Sequence, residues 1–299
     1  MFVKNELKER RMRVDVVLLM KNSASMLGES IFEKRIKSIK CNIPVNNLIV
    51  VDAFSSDRTI EIIKSVFPDA IVITSSAKRG KAREIGIKNV STEVFVFIDS
   101  DVVVPPGWFE KGIRYFEDSH IGAVGGVAIP LDPKGFKVFY VAEIVDRIRF
   151  SKRSQPHIDG SNVLIRTKSV KDISIPEDLH WVEDTFIEQF IKAKRFKVIV
   201  DEKMHVFHVH RHKTLRLSEL IKVTELQVKY GLLRSLEYRT MERVVSSILR
   251  SMIALTIFDP SIAHEFLKYA VLSLITYIVV KRRLHNSACM RCSDESITR

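Results

Sequence analysis

Two aspartates stand one residue apart in VFVFIDSDVVVPPGWF, the stretch from Val94 to Phe109. Asp99 and Asp101 come directly after an apolar run, where a carboxylate is costly unless it is paired or bound to a cation. On a strand, residues i and i+2 point to the same side, so both can converge at the strand's end. Two such carboxylates suit a hard divalent cation, Mg²⁺ or Mn²⁺, which takes oxygen ligands and is often shared with phosphates. The plainer alternative is that both cap the next turn. Pro105, Pro106 and Gly107 are expected to turn the chain away and leave that end open. Other polar groups stand at comparable points: Lys21-Asn22-Ser23 and Asp52. HVFHVHRH carries histidines at 205, 208, 210 and 212; on a strand, His208, His210 and His212 would share one face. Three histidines alone suit zinc, but the aspartates nearby make a separate zinc site unnecessary. Cys289-Met290-Arg291-Cys292 is half of a zinc pattern without a second half.

The elements that must hold these groups are short. VDVVLLM (Val14 to Met20), LIVVD (Leu48 to Asp52), AIVITS (Ala70 to Ser75) and VFVFID are near-continuous apolar runs, as buried strands are. Between them lie helical patterns at about 26–40, 59–67 (capped by Ser56 or Asp57) and in GKAREIGIKNV. Alternating strands and helices predict a parallel sheet covered on both faces. Ligands then bind at the carboxyl ends of strands, where the strand order switches. Farther on, GAVGGVAIP and GSNVLIR read as strands, EDTFIEQFIKAKRF as a helix and KVIVDEKMHVFHVH as a closing hairpin.

The chain has 299 residues, 46% apolar, with a net charge of +12. That charge favours anionic partners: nucleotide phosphates, nucleic acid or an acidic membrane face. The basic residues are spread out with no aromatic platform among them, which argues against nucleic acid. Three cysteines give no disulfide framework, so a reducing, cytoplasmic setting is expected. MFVKNELKERRMR lacks the apolar core of a signal peptide and is expected to be a charged arm, residues 1–13.

Residues 213–285 differ in character. VVSSILRSMIALTIF (Val244 to Phe258) and FLKYAVLSLITYIVV (Phe266 to Val280) are apolar, and each is too short to span a bilayer comfortably. Basic residues flank the pair outside, and the connecting DPSIAHE is acidic, as in a hairpin entering from the cytosolic side. The expectation is a pair of in-plane or re-entrant helices at the inner face of the cell membrane. A plain helical pair packed on protein is the alternative. Residues 286–299 are expected to be a disordered tail.

VVDAFSSDRT, KRGKAREIGI, VFIDSDVVVPPGWF, GSNVLIR and WVEDTFIEQF, in this order and spacing, resemble the family 2 glycosyltransferases with the GT-A fold. The resemblance covers roughly residues 14–212. It implies an α/β, Rossmann-like mixed sheet flanked by helices, followed here by a helical appendage. An inverting, metal-dependent enzyme is also implied, one that takes a nucleotide-diphosphate-sugar donor, with Mn²⁺ or Mg²⁺ as cofactor and a glycan or lipid-linked acceptor. By the same resemblance, Asn22, Asp52, Lys81, Arg83 and Asp99 would bind the nucleotide. Asp99 and Asp101 would hold the metal, with His208 or His210 as a further ligand. Asp184, beside Glu183, would be the catalytic base. Ordinary structural roles compete: a helix cap for Asp52, a solvated helix face for Lys81 and Arg83, dipole-favoured first-turn charges for Glu183 and Asp184. Two departures from the family pattern stand out. The frequent P-T-Y-N-E loop is Leu19-Met20-Lys21-Asn22-Ser23, and D-D-G-S is Asp52-Ala53-Phe54-Ser55, without a carboxylate at Ala53.

In this reaction an acceptor hydroxyl loses its proton while attacking the anomeric carbon, through an oxocarbenium-like transition state. One ionised carboxylate suffices as base. A polyprenyl-phosphate acceptor would need none, and the run Asp146 to Arg153 could then hold that phosphate, unless it is only a solvated helix face. The rival readings are a non-catalytic nucleotide-sugar-binding module and a receiver domain with Asp52 as phosphoacceptor; chain length and the D-x-D motif argue against the latter.

Overall fold

The computed structural model describes residues 12–150, 157–209, 216–233, 235–257 and 260–297. They form two compact units. The first comprises residues up to 132 and 155–211, the second 133–154 and 212–299. The expected charged arm, but for its last two residues, and the end of the Asp146 to Arg153 run lie outside the described residues.

The first unit is built on eight strands: β1 Val14–Met20, β2 Val45–Asp52, β3 Ile71–Thr74, β4 Val94–Ile98, β5 Val102–Val103, β6 Ile121–Pro130, β7 Asn162–Arg166 and β8 Lys197–His208. Their order is β3-β2-β1-β4-β7-β6-β8-β5. Strands β1 to β4 are mutually parallel; β7 runs antiparallel to β4 and β6, and β8 is parallel to β6 and antiparallel to β5. The sheet is therefore mixed: all parallel from β3 to β4, with β7 and β5 antiparallel to their neighbours and one further parallel pair, β6–β8. KVIVDEKMHVFH is one long strand, not the expected hairpin. Its pairing with β6 shifts register between Gly125 and Val127, so the chain absorbs its irregularity as a bulge rather than a turn.

Helices α1 Ser23–Leu27, α2 Glu29–Asn42, α3 Thr59–Val66, α4 Arg79–Lys88, α5 Trp108–Ile113, α7 Thr167–Val170 and α8 Glu183–Ala193 belong to this unit. The expected single helix from Met26 is two, broken at Gly28, whose φ of +86° suits glycine. Phe32, Ile36 and Ile39 of α2 and Ile62, Ile63 and Val66 of α3 join the core formed by β1, β2 and β4. Helix α4 crosses β1 closely: a Cβ on Gly86 would lie 2.4 Å from Val17 Cγ1. Because β2 and β4 lie on opposite sides of β1, the order switches between β1 and β4. Their carboxyl ends deliver Lys21 and Asp99 to that point.

The second unit contains α6 Pro133–Phe150, α9 Leu217–Lys229, α10 Leu236–Ile257 and α11 Pro260–Ile297. Val141 of α6, Ala254 of α10 and Ile262, Ala263 and Phe266 of α11 form its small apolar cluster. Both apolar stretches expected as helices lie within α10 and α11, save Phe258, which is outside the described residues. Two boundaries differ from expectation. Residues 133–154 group with the C-terminal helices and interrupt the span 14–212, and α11 continues into the residues expected as tail.

Candidate active site

A cleft of about 290 Å³ opens at the carboxyl ends of β1, β2 and β4 in the first unit. Lys21, Ala53, Arg79, Arg83, Asp99 and Asp101 are among its lining residues. It is the place that the strand order dictates for a ligand.

Asp99 and Asp101 are not on the strand. They follow Ile98 in a turn that the Val102 N–H closes by donating to Asp99 O at 3.3 Å. The strand-alternation expectation is corrected here: the turn, rather than the pleat, aims the carboxylates, and it gives them different partners. Arg83 Nη2 donates to Asp99 Oδ1 at 3.4 Å, and His208 Nε2 lies 3.2 Å from Asp101 Oδ2. Burial raises the Asp99 pKa; Arg83 opposes that, and the nearby charges of Asp159 and Asp101 add to it, leaving Asp99 at about 6. For His208, burial lowers the pKa, but Asp101 outweighs it and the net shift is upward.

Arg83 organises the site. It is 3% exposed and lies over the Phe97 ring, 4.9 Å from the centroid. Its Nε donates to Glu183 Oε1 at 3.3 Å and its Nη1 to Gly160 O at 3.1 Å. One guanidinium thus ties the aspartate turn to the first residue of α8. Burial alone would lower the Arg83 pKa, but Asp99 and Glu183 raise it, so the side chain is a fixed cation. Gly160 is required by this contact, since a Cβ there would sit 2.4 Å from Arg83 Nη2. Arg79 Nε also approaches Glu183 Oε1, at 3.9 Å.

Glu183 and Asp184 do not line the cleft itself; they stand beside it through Arg83. Val182 enters α8 with φ +58°, and Asp184 Oδ1 accepts the Thr185 N–H at 2.7 Å. Burial, then the charge of Glu183, raises the Asp184 pKa to about 6 against the Thr185 bond. At neutral pH Asp184 is ionised yet basic enough to take a proton, as general-base work requires.

The remaining expected residues fall elsewhere. Asp52 is buried, and its oxygens accept Ser55 N–H at 2.9 Å and the Ser55 hydroxyl at 2.5 Å. Asn22, in the left-handed region with φ +49°, donates its N–H to Ser55 Oγ and accepts Ser56 N–H on Oδ1, both at 2.8 Å. These two residues latch the loops after β1 and β2, and Ala53, between Asp52 and the exposed Phe54, reaches the cleft. Lys81 turns away to Glu84 at 2.8 Å, whereas Arg79, two residues earlier, lines the cleft. His210 lies outside the described residues.

Two site residues escaped the sequence reading. Arg35 is 1% exposed and donates from Nη1 to Ser100 O at 3.4 Å, beneath the aspartate turn. Its Nε and Nη2 have no hydrogen-bond partner among the described residues, and burial, partly offset by Asp101, lowers its pKa. The signal was present: 32, 35, 36 and 39 form one helical face, so Arg35 shares the buried stripe. Asp159, beside Gly160, acts at a distance on Asp99, Asp184 and His208.

Among the described residues no three His, Cys, Asp or Glu side chains gather closely enough to hold a metal alone. Asp101 and His208, 3.2 Å apart, with Asp99 on the same turn, offer oxygen and nitrogen donors to a divalent cation that takes the rest of its shell from phosphate oxygens. A cation there would also relieve the burial that raises Asp99.

Comparison with known proteins bears on the fold and the family. No curated protein matches the chain. Solved structures do. A mannosyltransferase from Pyrobaculum calidifontis, in complex with GDP-Man and Mn²⁺, is 14% identical with a TM-score of 0.54, over 96% of this chain and 80% of that one. Glucosyl-3-phosphoglycerate synthase from Mycobacterium tuberculosis, in complex with Mn²⁺, UDP and phosphoglyceric acid, is 20% identical with a TM-score of 0.52, over 79% and 84%. At such identities the likeness shows the fold, GT-A. The family model described as Glycosyl transferase family 2 matches residues 15–174, more than half of the chain. This chain belongs to glycosyl transferase family 2.

Proposed function

We propose that the chain transfers a hexosyl group, with inversion, from a nucleotide-diphosphate sugar to an acceptor presented at the cytoplasmic face of a membrane. The observation that carries this reading is Arg83, which joins Asp99 to Glu183 and so holds a cation-binding turn against the start of α8, where Asp184 stands.

The donor's diphosphate occupies the cleft at the β1–β4 switch point. Lys21, Arg79 and Arg83 supply positive charge there. Asp99, Asp101 and His208 would hold Mn²⁺ or Mg²⁺, which when bound offsets the charge of the departing diphosphate. Asp184 accepts the proton of the attacking hydroxyl on Oδ2, the oxygen not used by the Thr185 N–H. Glu183 holds Arg83 and, through its charge, keeps Asp184 basic. The Asp52–Ser55–Asn22 latch shapes the loop at the base end of the cleft. The glycan or lipid-linked nature of the acceptor rests on the membrane reading.

A thermal-shift series with UDP, GDP and their sugars, with and without Mn²⁺, tests it. Ligand binding stabilises by mass action, so one nucleotide should raise Tm only with the metal. No shift with any nucleotide contradicts the proposal. Asp184→Asn should keep that shift and lose transfer to a hydroxyl. Full turnover by this variant would remove Asp184 as base and favour a phosphate acceptor.

A further inference from the structure

The helical unit has its polarity reversed. From Met241 to Ile257, α10 exposes Met241, Val245, Ile248, Met252 and Leu255, and then Thr256 and Ile257. The spacing i, i+4, i+7, i+11, i+14 is one continuous stripe along a helix. No charged side chain of that stretch is exposed. Arg243 is turned inward onto Thr224 Oγ1 and Gln227 Oε1, and Arg250 onto Asp146 Oδ1 of α6. On α11, Val271, Leu274, Ile275 and Ile278 are exposed in the same way.

Large apolar side chains are buried only toward the ends of the pair, Leu236 of α10 and Ile262, Phe266 and Val280 of α11; between them the buried residues are small or polar. Ser246, Ser247, Ser251 and Ala254 of α10 and Ser273 and Thr276 of α11 are buried. The Ser247 and Thr276 hydroxyls have no hydrogen-bond partner among the described residues. The helices run antiparallel: Glu237, at the start of α10, accepts from Tyr277 and Lys281 of α11, both at 3.4 Å. In water a helix pair buries its leucines and exposes its serines. Small and hydroxyl side chains at the seam with Ile, Leu, Met and Val outside is the arrangement that lipid selects.

Charge identifies which lipid. The apolar stripe of α11 ends at Ile278, and Lys281, Arg282 and Arg283 follow, all exposed. Lys281 also lies near Glu237 and Arg283 on Glu225, both as exposed pairs that headgroup phosphates can replace, so this basic cluster bordering an apolar face fits anionic headgroups above acyl chains. Extent decides the depth. Residues 241–257 cover about 24 Å and, counted from exposed Leu267, residues 267–278 about 17 Å, against the ~30 Å of a bilayer core. Helix Pro260–Asn286 is long and apolar enough to cross by length and composition. Exposed His264 and Lys268, however, break its outer face near the turn, and a lysine there reaches the headgroups along its own stem.

We propose that the α10–α11 hairpin embeds its outward apolar stripes in the acyl layer of an anionic membrane without crossing it. This deepens the membrane-face reading given above and depends on it.

The test uses the full chain and flotation with phosphatidylcholine vesicles, with and without phosphatidylglycerol. The wild type should float with the anionic vesicles and less with the neutral ones. The double variant Ile248→Asp, Leu274→Asp changes two exposed positions, so circular dichroism should be unaltered, while flotation falls at least about tenfold. The indole introduced by Met252→Trp should be quenched by brominated lipid, beyond any quenching of the wild-type fluorescence. Equal flotation of the double variant, a wild type that stays in the soluble fraction, or an introduced indole that brominated lipid leaves unquenched overturns the inference. So does a wild-type dimer that the double variant splits without any vesicle binding; the stripe would then face a second copy. Nucleotide thermal shifts on the same samples read the cleft separately. An intact shift without flotation refutes the membrane hairpin alone; flotation without any shift refutes the donor site alone.

Discussion

Carboxylates stand at both ends of this sheet, and they are treated in opposite ways. Asp15, at the amino end of β1, is 0% exposed. Its Oδ1 accepts Asn46 Nδ2, Asn47 N–H and Asn47 Nδ2, and its Oδ2 accepts the N–H groups of Ser91 and Thr92 and the Ser91 hydroxyl. Burial pushes its pKa up, but these donors prevail and the net shift is downward. At the carboxyl end, Asp184 takes one backbone N–H and Asp99 one weak guanidinium contact, and both rest at about 6. A fully bonded carboxylate braces a fold; an underbonded one held near a cleft is poised to bind or to accept a proton.

The comparison can be broken in graded ways. The largest effect is expected for Asp101→Asn. Removing a cation ligand should weaken metal-dependent nucleotide binding by at least about 100-fold, because even outer partners of a metal cost about 10–100-fold. Titration of the nucleotide with Mn²⁺ reads this, and unchanged affinity would take Asp101 out of the site. Asp184→Asn should lower kcat by about 10²–10⁴ with donor affinity kept; parallel losses in both would assign it to binding instead.

Protonation follows the same division. Transfer to a hydroxyl should decline as pH falls through about 6, where Asp184 loses its charge. A pH–rate profile flat from about 7 to about 5 would point to another base. Stability should move in opposite directions at the two ends. Asp15, with its folded pKa below the ordinary 3.8, stabilises above that pH, and the contribution is lost as pH falls through the folded value. Asp15→Asn should therefore cost about 2 kcal/mol at neutral pH, since the donors around it lose a charged acceptor. Asp184 is raised from 3.8 to about 6, so the folded state binds its proton more tightly. Stability falls as pH rises from 3.8 to about 6 and stays low above it. Relieving this by Asp184→Asn should add about 1 kcal/mol at neutral pH, allowing for partial solvent access. Urea melts of the two variants at neutral pH should shift in opposite senses; a shared sign would erase the distinction. The smallest change in activity is expected of Gly160→Ala, whose methyl must shift Arg83 and should lower kcat severalfold, with a modest fall in Tm as the guanidinium's bonds loosen.

Much of the first unit was legible because apolar runs of strand length announce themselves, and β1, β2 and β4 are buried on both faces. The carboxyl-end cluster followed from where those runs stop. The partners of each side chain were not legible. Whether Lys81 or Arg79 faces the cleft depends on the rotation of α4 over β1, which is fixed by the close approach of Gly86 to Val17. Arg35 was readable as a cation on an apolar stripe but was hidden by the charged residues around it. The single strand β8 resembles a hairpin in sequence because Asp201, Glu202 and Lys203 interrupt its apolar run; in the fold they mark a bulge. Residues 133–150 carry no pattern that separates them from the sheet. Their grouping with the C-terminal helices depends on contacts between residues far apart in sequence, such as Arg250 on Asp146.

The central claim is that the aspartate turn of Asp99 and Asp101 serves a donor and its cation. Calorimetric titration of the preferred nucleoside diphosphate into wild type and Asp101→Asn, with and without Mn²⁺, tests it most directly. Binding should require Mn²⁺ in the wild type and be lost in the variant, while Asp15→Asn, where folded, binds as the wild type does. Metal-independent binding, or equal binding by Asp101→Asn, would contradict the account.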